Sequence, residues 1–525
     1  MKKSAVAVTA AFLAASVVPA MALDAKFSGE MRTRGEYFNG SYLENQFYRD
    51  FNGSAGFTDA DGNALTPPEI EERQDNNLSE HEGKRKSALW DSRMRMRMDL
   101  AVNENLKGVY VLQVGDITWG SQSPNNEVAY PVLASGLYAD RRLRNDRNQN
   151  AGGRLNSNGV NLQTKNMYID FNIPGLESVN TKVGILPLKV GHGIVLDGDA
   201  SGLLIQHKSD MATIGAATFK THEGDISRQD DSDYYLLFVN APVQNNGSVG
   251  LFGIYNRNRY SSDDDSVPFM TGGGIGESND DRLTQYWAGV TFDLNLDPIF
   301  INAEVDGYWA EIEQPDTQGA DNDRVNGYAG YLNAGVNIKP VKAGVAGLYA
   351  TGQSNSDQSR RPEYFSPIMP TRVHDNTLLN WDTIVLGQLK QNILTNLVSG
   401  KAYVEVSPMD TLTVGLSGQG YWLQQDSNLH GKGNGDYIGT EADVNITVRI
   451  YDNLVYRISG AYLWTNDEVF GISQGDTVAT AKVTGRDSAP SVDSDDDVNV
   501  HNNAAGRDYK SQDIWFVGNQ IVLSF

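Results

Sequence analysis

The sequence predicts an all-β protein, a single antiparallel up-and-down barrel of about eighteen strands that crosses a membrane, with sixteen as the alternative count. Three observations support this fold class. Apolar and polar residues alternate along many segments, short turns alternate with long polar connections, and the last segment is an alternating apolar row that ends on Phe525. A closed barrel hides its apolar residues at every second position, where mean hydropathy does not detect them.

Residues 88–102 show the alternation most clearly. On an extended chain, successive side chains point to opposite faces, so the methionines of this segment lie on one face and its arginines on the other. The methionines are Met94, Met96 and Met98, and the arginines are Arg93, Arg95 and Arg97. A strand in a soluble sandwich is the alternative, but consecutive inward arginines favour a water-filled lumen.

The N-terminal segment is expected to be a targeting signal. Two lysines precede an apolar run over residues 5–18, and Ala20-Met21-Ala22 has the small-x-small form of a signal-peptidase site. The run is short for a membrane-spanning helix, so an uncleaved anchor is the weaker interpretation. We expect residues 1–22 to be a cleaved signal peptide and residues 23–525 to form the outer-membrane β-barrel.

Composition excludes several classes of function. The chain has 43 basic and 66 acidic residues, a net charge of −23, and it contains no cysteine. The acidic balance argues against a nucleic-acid partner. The lack of cysteine excludes disulfides, thiolate metal sites and cysteine catalysis.

Eighteen candidate strands can be counted, and the even number places both chain ends on the periplasmic side. The turns rich in Asn, Asp, Pro and Gly then all fall on that side. Long loops that begin at Gly40, Gly120, Gln353 and Asn466 fall on the outer side and are expected to fold over or into the mouth. Within the third of these, residues 378–397 have a spacing that could form a short helix.

The end of the chain resembles a recognition signal for outer-membrane assembly. Its alternating row includes Trp515, Ile521, Leu523 and Phe525. A C-terminal edge strand of a secreted sandwich is the alternative, but it does not explain the terminal aromatic. Aromatic residues near predicted strand ends fit the girdles of a membrane barrel. They are Tyr37, Trp119, Trp309, Tyr349, Trp422 and Trp464.

Short motifs in the first third of the chain resemble the alginate-export-type, porin-like family of bacterial outer-membrane barrels. The motifs are Arg32-Thr33-Arg34-Gly35-Glu36, Ser92-Arg93-Met94-Arg95, Asn105-Leu106-Lys107, Val111-Leu112-Gln113 and Asp116-Ile117-Thr118-Trp119-Gly120, with a looser match at Asn166-Met167-Tyr168-Ile169-Asp170. The resemblance implies an eighteen-stranded channel whose arginine-rich lumen passes an anionic polymer or small solutes. Where the family usually has Gly-Arg-Gln, this chain has Gly184-Ile185-Leu186, so the resemblance leaves the substrate open. A weaker resemblance is to porins of anaerobic, metal-respiring bacteria.

Two sets of charged residues are candidates for the pore lining. Arginine stays charged and its planar fork suits carboxylates and phosphates. The anion-attracting set is Arg32, Arg34, Arg93, Arg95 and Arg97. An opposing acidic wall is expected from Glu304, Asp306, Glu405, Glu441 and Asp443. The alternative for each residue is an ordinary solvated side chain or an internal salt bridge.

No cofactor or catalytic site is indicated. The seven histidines are scattered without metal-ligand spacing, and no Ser, His and polar orienter converge in the sequence. The acidic runs 263–265 and 495–497 could hold Ca²⁺ or Mg²⁺ weakly near lipopolysaccharide, although such runs are usually solvated loops. The protein is therefore not expected to be an enzyme.

The predicted function is passive diffusion of small hydrophilic, mostly anionic solutes across the outer membrane. The alternative is a structural barrel, closed by its loops, that sheathes or docks a partner such as an electron-carrying protein. Expected partners are outer-membrane lipid, lipopolysaccharide, the barrel assembly machinery and small solutes, with a homotrimer as one assembly to test.

Overall fold

The structure is a computed structural model. It describes residues 24–39, 86–119, 162–222, 232–243, 246–258, 282–313, 323–352, 363–368, 395–425, 436–466 and 513–525. The predicted signal peptide and most of the four long loops lie outside these residues. No helix among the described residues is long and apolar enough to cross a membrane.

Eighteen strands make up the fold, as the sequence predicts. They are β1 (Asp24–Asn39), β2 (Lys86–Asn103), β3 (Leu106–Thr118), β4 (Leu162–Ile173), β5 (Leu176–Lys189), β6 (Asp197–Lys208), β7 (Thr213–His222), β8 (Ser232–Pro242), β9 (Gly247–Asn258), β10 (Arg282–Asn295), β11 (Ile299–Glu313), β12 (Asp323–Ile338), β13 (Val341–Ala350), β14 (Leu397–Met409), β15 (Leu412–Leu423), β16 (Tyr437–Tyr451), β17 (Leu454–Thr465) and β18 (Ile514–Ser524).

The sheet closes on itself. Each strand pairs antiparallel with the next along the chain, and β18 pairs with β1, so every described strand has two neighbours. At the seam, the N–H of Gly29 donates to the carbonyl of Phe525 at 2.8 Å, and the N–H of Phe525 donates back at 3.0 Å. Closure satisfies the backbone groups that an open edge would leave unpaired in lipid.

The two faces of the strands meet different surroundings. Outward side chains are apolar and exposed, as for Leu237, Val305 and Val345 at 67%, 62% and 56%. Inward neighbours on the same strands include Glu304 and Asp306, which are fully buried. This alternation is that of a membrane-spanning barrel with a polar interior.

Exposed aromatic residues form a belt on the outer surface of the barrel, near the end where the long connections between strands lie. Tyr255 on β9 lies 6.0 Å from the ring of Tyr235 and 5.3 Å from that of Tyr286. The aromatic residues that the sequence assigned to a girdle are all outward and exposed: Tyr37, Trp119, Trp309, Tyr349, Trp422 and Trp464. Such belts sit at the boundary between hydrocarbon and headgroups.

Short turns gather at one end of the barrel, the turn end, together with Asp24 and Phe525. The connections that are long in sequence gather at the other end, the loop end. The sequence pattern of residues 179–193 predicts a single strand, and this prediction is wrong in extent because the strand ends at Lys189. Residues 190–196 form a loop instead, and the helix suggested for residues 378–397 lies almost wholly outside the described residues.

Candidate functional site in the barrel lumen

The five arginines singled out by the sequence lie together on the inward faces of β1 and β2. Arg32 stands directly opposite Arg93 in the antiparallel register, and Arg34 stands opposite Asp91. Arg95 and Arg97 follow on the same face, opposite Glu30 and Ser28. The methionines between them point outward, where Met31 faces Met94.

Carboxylates on the same two strands pair with these arginines. Arg32 donates to Asp91 at 3.0 Å, and Arg34 bonds both Asp91 and Glu36. Arg93 lies 3.0 Å from Glu30. The alternation along β1 puts Glu30 and Glu36 on the same face as these arginines, but the pattern alone does not show which side chains pair.

Arg97 is paired in a different way from Arg95. Its Nε and Nη2 donate to the two oxygens of Asp99 at 2.7 and 2.8 Å, which is a bidentate ion pair. The Nε of Arg95 donates to the amide oxygen of Gln113 at 2.7 Å, and its nearest described carboxylate, Glu30, is 3.9 Å away. Both arginine side chains reach water, with 33% of Arg95 and 37% of Arg97 exposed.

The predicted acidic wall divides into separate groups. In a closed ring of eighteen strands, β11 is nine steps from β2 in either direction, so Glu304 and Asp306 lie across the lumen from the arginines. Glu405 on β14 and the pair Glu441 and Asp443 on β16 lie on the flank, six and four steps from β2. Glu304 and Asp306 therefore lie opposite the arginines, whereas Glu405, Glu441 and Asp443 do not.

The flanking carboxylates are held by neutral donors or by lysine. Glu441 accepts from the hydroxyl of Tyr421 at 3.0 Å. Asp443 accepts from Ser417 at 2.9 Å and from Gln419 at 3.1 Å. Glu405 lies 3.9 Å from Lys342 on the neighbouring strand.

The loop 190–196, between β5 and β6, folds into the barrel. The backbone N–H of His192 donates to Oε2 of Glu304 on β11, and its ring nitrogen Nε2 lies 3.5 Å from Asp293. The imidazole also packs edge-on against Tyr331, with 5.3 Å between ring centroids. Sequence reasoning missed this loop, whose signal was the apolar run Ile194-Val195-Leu196 between two strands.

A second segment, residues 363–368, lies against the same side of the lumen. The indole N–H of Trp287 donates to the carbonyl of Ser366 at 2.7 Å, and Phe365 is fully buried against Tyr308. The N–H of Ile368 donates to the carbonyl of Val195 at 3.0 Å, which joins the segment to the inward loop. It belongs to the connection that begins at Gln353, one of the loops expected to enter the mouth.

The two inward segments cover an apolar core inside the barrel. Its members between β5 and β13 include Leu186, Leu188, Phe219, Leu236, Ile254, Trp287, Tyr308 and Leu348, and further members lie on β3, β4, β14, β15, β17 and β18. Burial raises the pKa of Tyr364, at the edge of this core, to about 12, so its phenol stays neutral. Apolar side chains and the two inward segments therefore occupy the lumen between β5 and β13, whereas Arg95 and Arg97 on β2 keep a third or more of their side chains in water.

The terminal residues of the expected assembly signal lie on the outer surface. Ile521 and Phe525 are exposed, and β18 carries the row into the seam with β1. Within the part of the chain that the structure describes, no three His, Asp or Glu side chains form a metal-ligating group. The acidic runs 263–265 and 495–497 lie outside the described residues.

Solved structures with a similar fold include three from Pseudomonas. OccK9 (OpdG) of Pseudomonas aeruginosa is 12% identical with a TM-score of 0.47, over 96% of this chain and 99% of that one. The outer membrane protein OpdK of the same species is 8% identical, with a TM-score of 0.45 over 95% and 99%. A BenF-like porin of Pseudomonas fluorescens is 10% identical, with a TM-score of 0.45 over 95% and 99%. No protein-family model and no curated protein matches the sequence.

Proposed function

We propose that the protein is a passive channel of the bacterial outer membrane that admits small hydrophilic solutes and prefers anions. The supporting observation is that apolar side chains and two inward segments occupy the lumen between β5 and β13, while Arg95 and Arg97 on β2 keep a third or more of their side chains in water. A solute would pass along this charged side. The turn end would face the periplasm and the aromatic belt would lie at the outer interface.

Opposite charge on opposite strands supports the preference. Described inward positions on β1 to β3 carry seven cations and five carboxylates, an excess of two positive charges, and inward positions on β10 and β11 carry three carboxylates. The cations are Lys26, Arg32, Arg34, Arg93, Arg95, Arg97 and Lys107; the carboxylates facing them are Asp293, Glu304 and Asp306. Such a transverse field orients charged solutes and disfavours apolar ones.

The inward loop would set the size limit. It starts on β5 and ends against Glu304 on β11, six strands away, so it spans part of the cross-section. A solute at this level would pass between the loop and the arginine face.

Planar-bilayer recording tests the channel directly. We expect an ohmic single-channel current. In a KCl gradient, the sign of the reversal potential should show that chloride permeates more readily than potassium. Changing Arg93, Arg95 and Arg97 together to Gln should move that potential towards cation preference. A protein that gives no current after verified folding would contradict the channel, and unchanged selectivity of the triple variant would contradict the role of the arginines.

A second candidate, a closed scaffold barrel that docks a partner, is favoured by the buried apolar core within the lumen. The same recordings separate the two, since a scaffold would give no current. The resemblance of the first third of the chain to alginate-export-type barrels fits an anionic solute. The proposal also includes contacts with lipopolysaccharide, recognition by the barrel assembly machinery and assembly into a homotrimer.

A further inference from the structure

We propose a binding site for a multivalent oxyanion at the turn end of the lumen, formed by a basic cluster of inward side chains. Its members are Lys26, Arg97, Lys107, Lys182 and Lys208, from β1, β2, β3, β5 and β6. The inference deepens the proposed function and rests on it in one respect, that the turn end of the lumen is open to water. In a chain with a net charge of −23, this concentration of cations is a local exception.

Strand register brings the cluster together. Lys26 stands opposite Asp99, Lys107 stands opposite Asp170, and Asp170 in turn stands opposite Lys182. Lys208 follows Gln206 on the inward face of β6, and Gln206 donates to Asn180 beside Lys182 at 3.2 Å. The lysines therefore line one continuous arc of the wall.

The two carboxylates inside this arc already have partners. Asp99 accepts hydrogen bonds from Nε and Nη2 of Arg97. Asp170 accepts from Asn180 at 2.7 Å and lies 3.5 Å from Lys107. Among the described residues, no carboxylate comes within 4 Å of the ammonium groups of Lys26, Lys182 and Lys208, and the turn residues Glu104, Glu177 and Asp210 form no ion pair with them.

Lys182 gives the sharpest evidence of a missing counter-charge. Although Asp170 is its register partner, its ammonium lies over the ring of Tyr168, 5.9 Å from the centroid. The side chain is half-buried, so the charge is partly desolvated, and in return it has a weak cation–π contact and an attraction to Asp170 across more than 4 Å. A bound anion would supply the stronger partner.

The donor set indicates the chemistry of the ligand. Ammonium groups are compact point charges with three donors each, and several of them around one space suit an anion with several oxygens and more than one negative charge. Phosphate and dicarboxylates share these properties, and chloride does not. The cluster faces the lumen, so we commit to a soluble oxyanion and make a lipid phosphate an outcome of the test.

Titration of the folded, full-length barrel in detergent with inorganic phosphate, at ionic strength held constant with chloride, tests the site. We expect saturable binding by calorimetry that weakens about tenfold on changing both Lys182 and Lys208 to Gln, because two unpaired cations are lost. K342Q is the matched control. Lys342 is also an inward lysine, but it already faces Glu405 and should be neutral for phosphate binding.

Three results would overturn the site: no saturable binding to the wild type, unchanged affinity of the double variant, or an equal loss in K342Q. Heat-modified mobility on gels verifies folding of each variant. If inorganic phosphate does not bind the protein in detergent but the cluster binds headgroups in vesicles of anionic lipid, the site belongs to a lipid phosphate instead. Because calorimetry needs no current, phosphate binding without conductance would contradict only the channel, and conductance without phosphate binding would contradict only this site.

Discussion

The backbone N–H of His192 is hydrogen-bonded to the carboxylate of Glu304, 112 residues further along the chain. The bond joins a loop at the top of β5 to the inward face of β11. Thr291 lies beside the contact, and Gly191 lets the backbone approach it, since a Cβ there would be 2.6 Å from both carboxylate oxygens. The inward loop is thus fixed at its tip as well as at its two ends.

Removing the Glu304 side chain should release the loop tip. We expect E304A to increase single-channel conductance and its fluctuation, because the N–H of His192 loses an acceptor whose bond is worth about 1–3 kcal/mol when buried. E304Q keeps an acceptor oxygen at the same place and should resemble the wild type in conductance. Equal conductance of E304A and wild type would show that the tether does not set the pore size.

Gly191 should be intolerant of a side chain for two separable reasons. Its φ is +53°, which costs a non-glycine residue about 1–3 kcal/mol, and the added Cβ would meet Glu304 and Thr291. Gly175 is a matched control, since its φ is +81° but a Cβ there would meet nothing within 4 Å. We expect G191A to disturb the current and lower thermal stability more than G175A does, and equal effects would show that only the backbone angle matters.

The sequence predicted the barrel well because a period of two is a local property. Alternation alone assigns Met94 and Arg95 to opposite faces, and the count of eighteen follows from the turns between such segments. The inward loop was not predictable in the same way. Residues 186–196 are apolar apart from Lys189 and His192, and this pattern does not show that the end of the segment leaves the wall and packs on other inward residues.

The sequence predicted which residues form the candidate site but not which of their side chains pair with one another. The inward positions of the five arginines follow from alternation, but their ion pairs depend on register between strands and on side-chain reach. Asp91 meets Arg32 and Arg34 only because β1 and β2 are aligned as they are. The closed order of strands, in turn, decides that Glu304 faces the arginines and Glu441 does not.

The different pairing of Arg95 and Arg97 predicts unequal roles in selectivity. Arg97 holds Asp99 in a bidentate contact, whereas Arg95 donates to Gln113 and lies 3.9 Å from Glu30. We expect R95Q to lower the chloride preference in reversal-potential measurements, and R97Q to lower it more, because the carboxylate of Asp99 then loses its cation and faces the lumen. D99N should instead raise the chloride preference, because it frees the charge of Arg97. Identical shifts for R95Q and R97Q would show that local pairing does not govern selectivity.

Neighbouring residues on β13 provide a test of which face meets lipid. Val345 points outward with 56% of its surface exposed, and Ala346 points inward opposite Lys401. An arginine at position 345 would place a charge in hydrocarbon, at a cost of about 2–4 kcal/mol near the midplane. V345R should therefore lower the free energy of unfolding by that amount in denaturant titrations of the barrel in lipid vesicles. A346R introduces the same side chain one residue away but on the lumen face opposite Lys401, so it should lower stability less than V345R does and shift the reversal potential towards chloride preference. Equal destabilisation by the two variants would contradict the assignment of the faces.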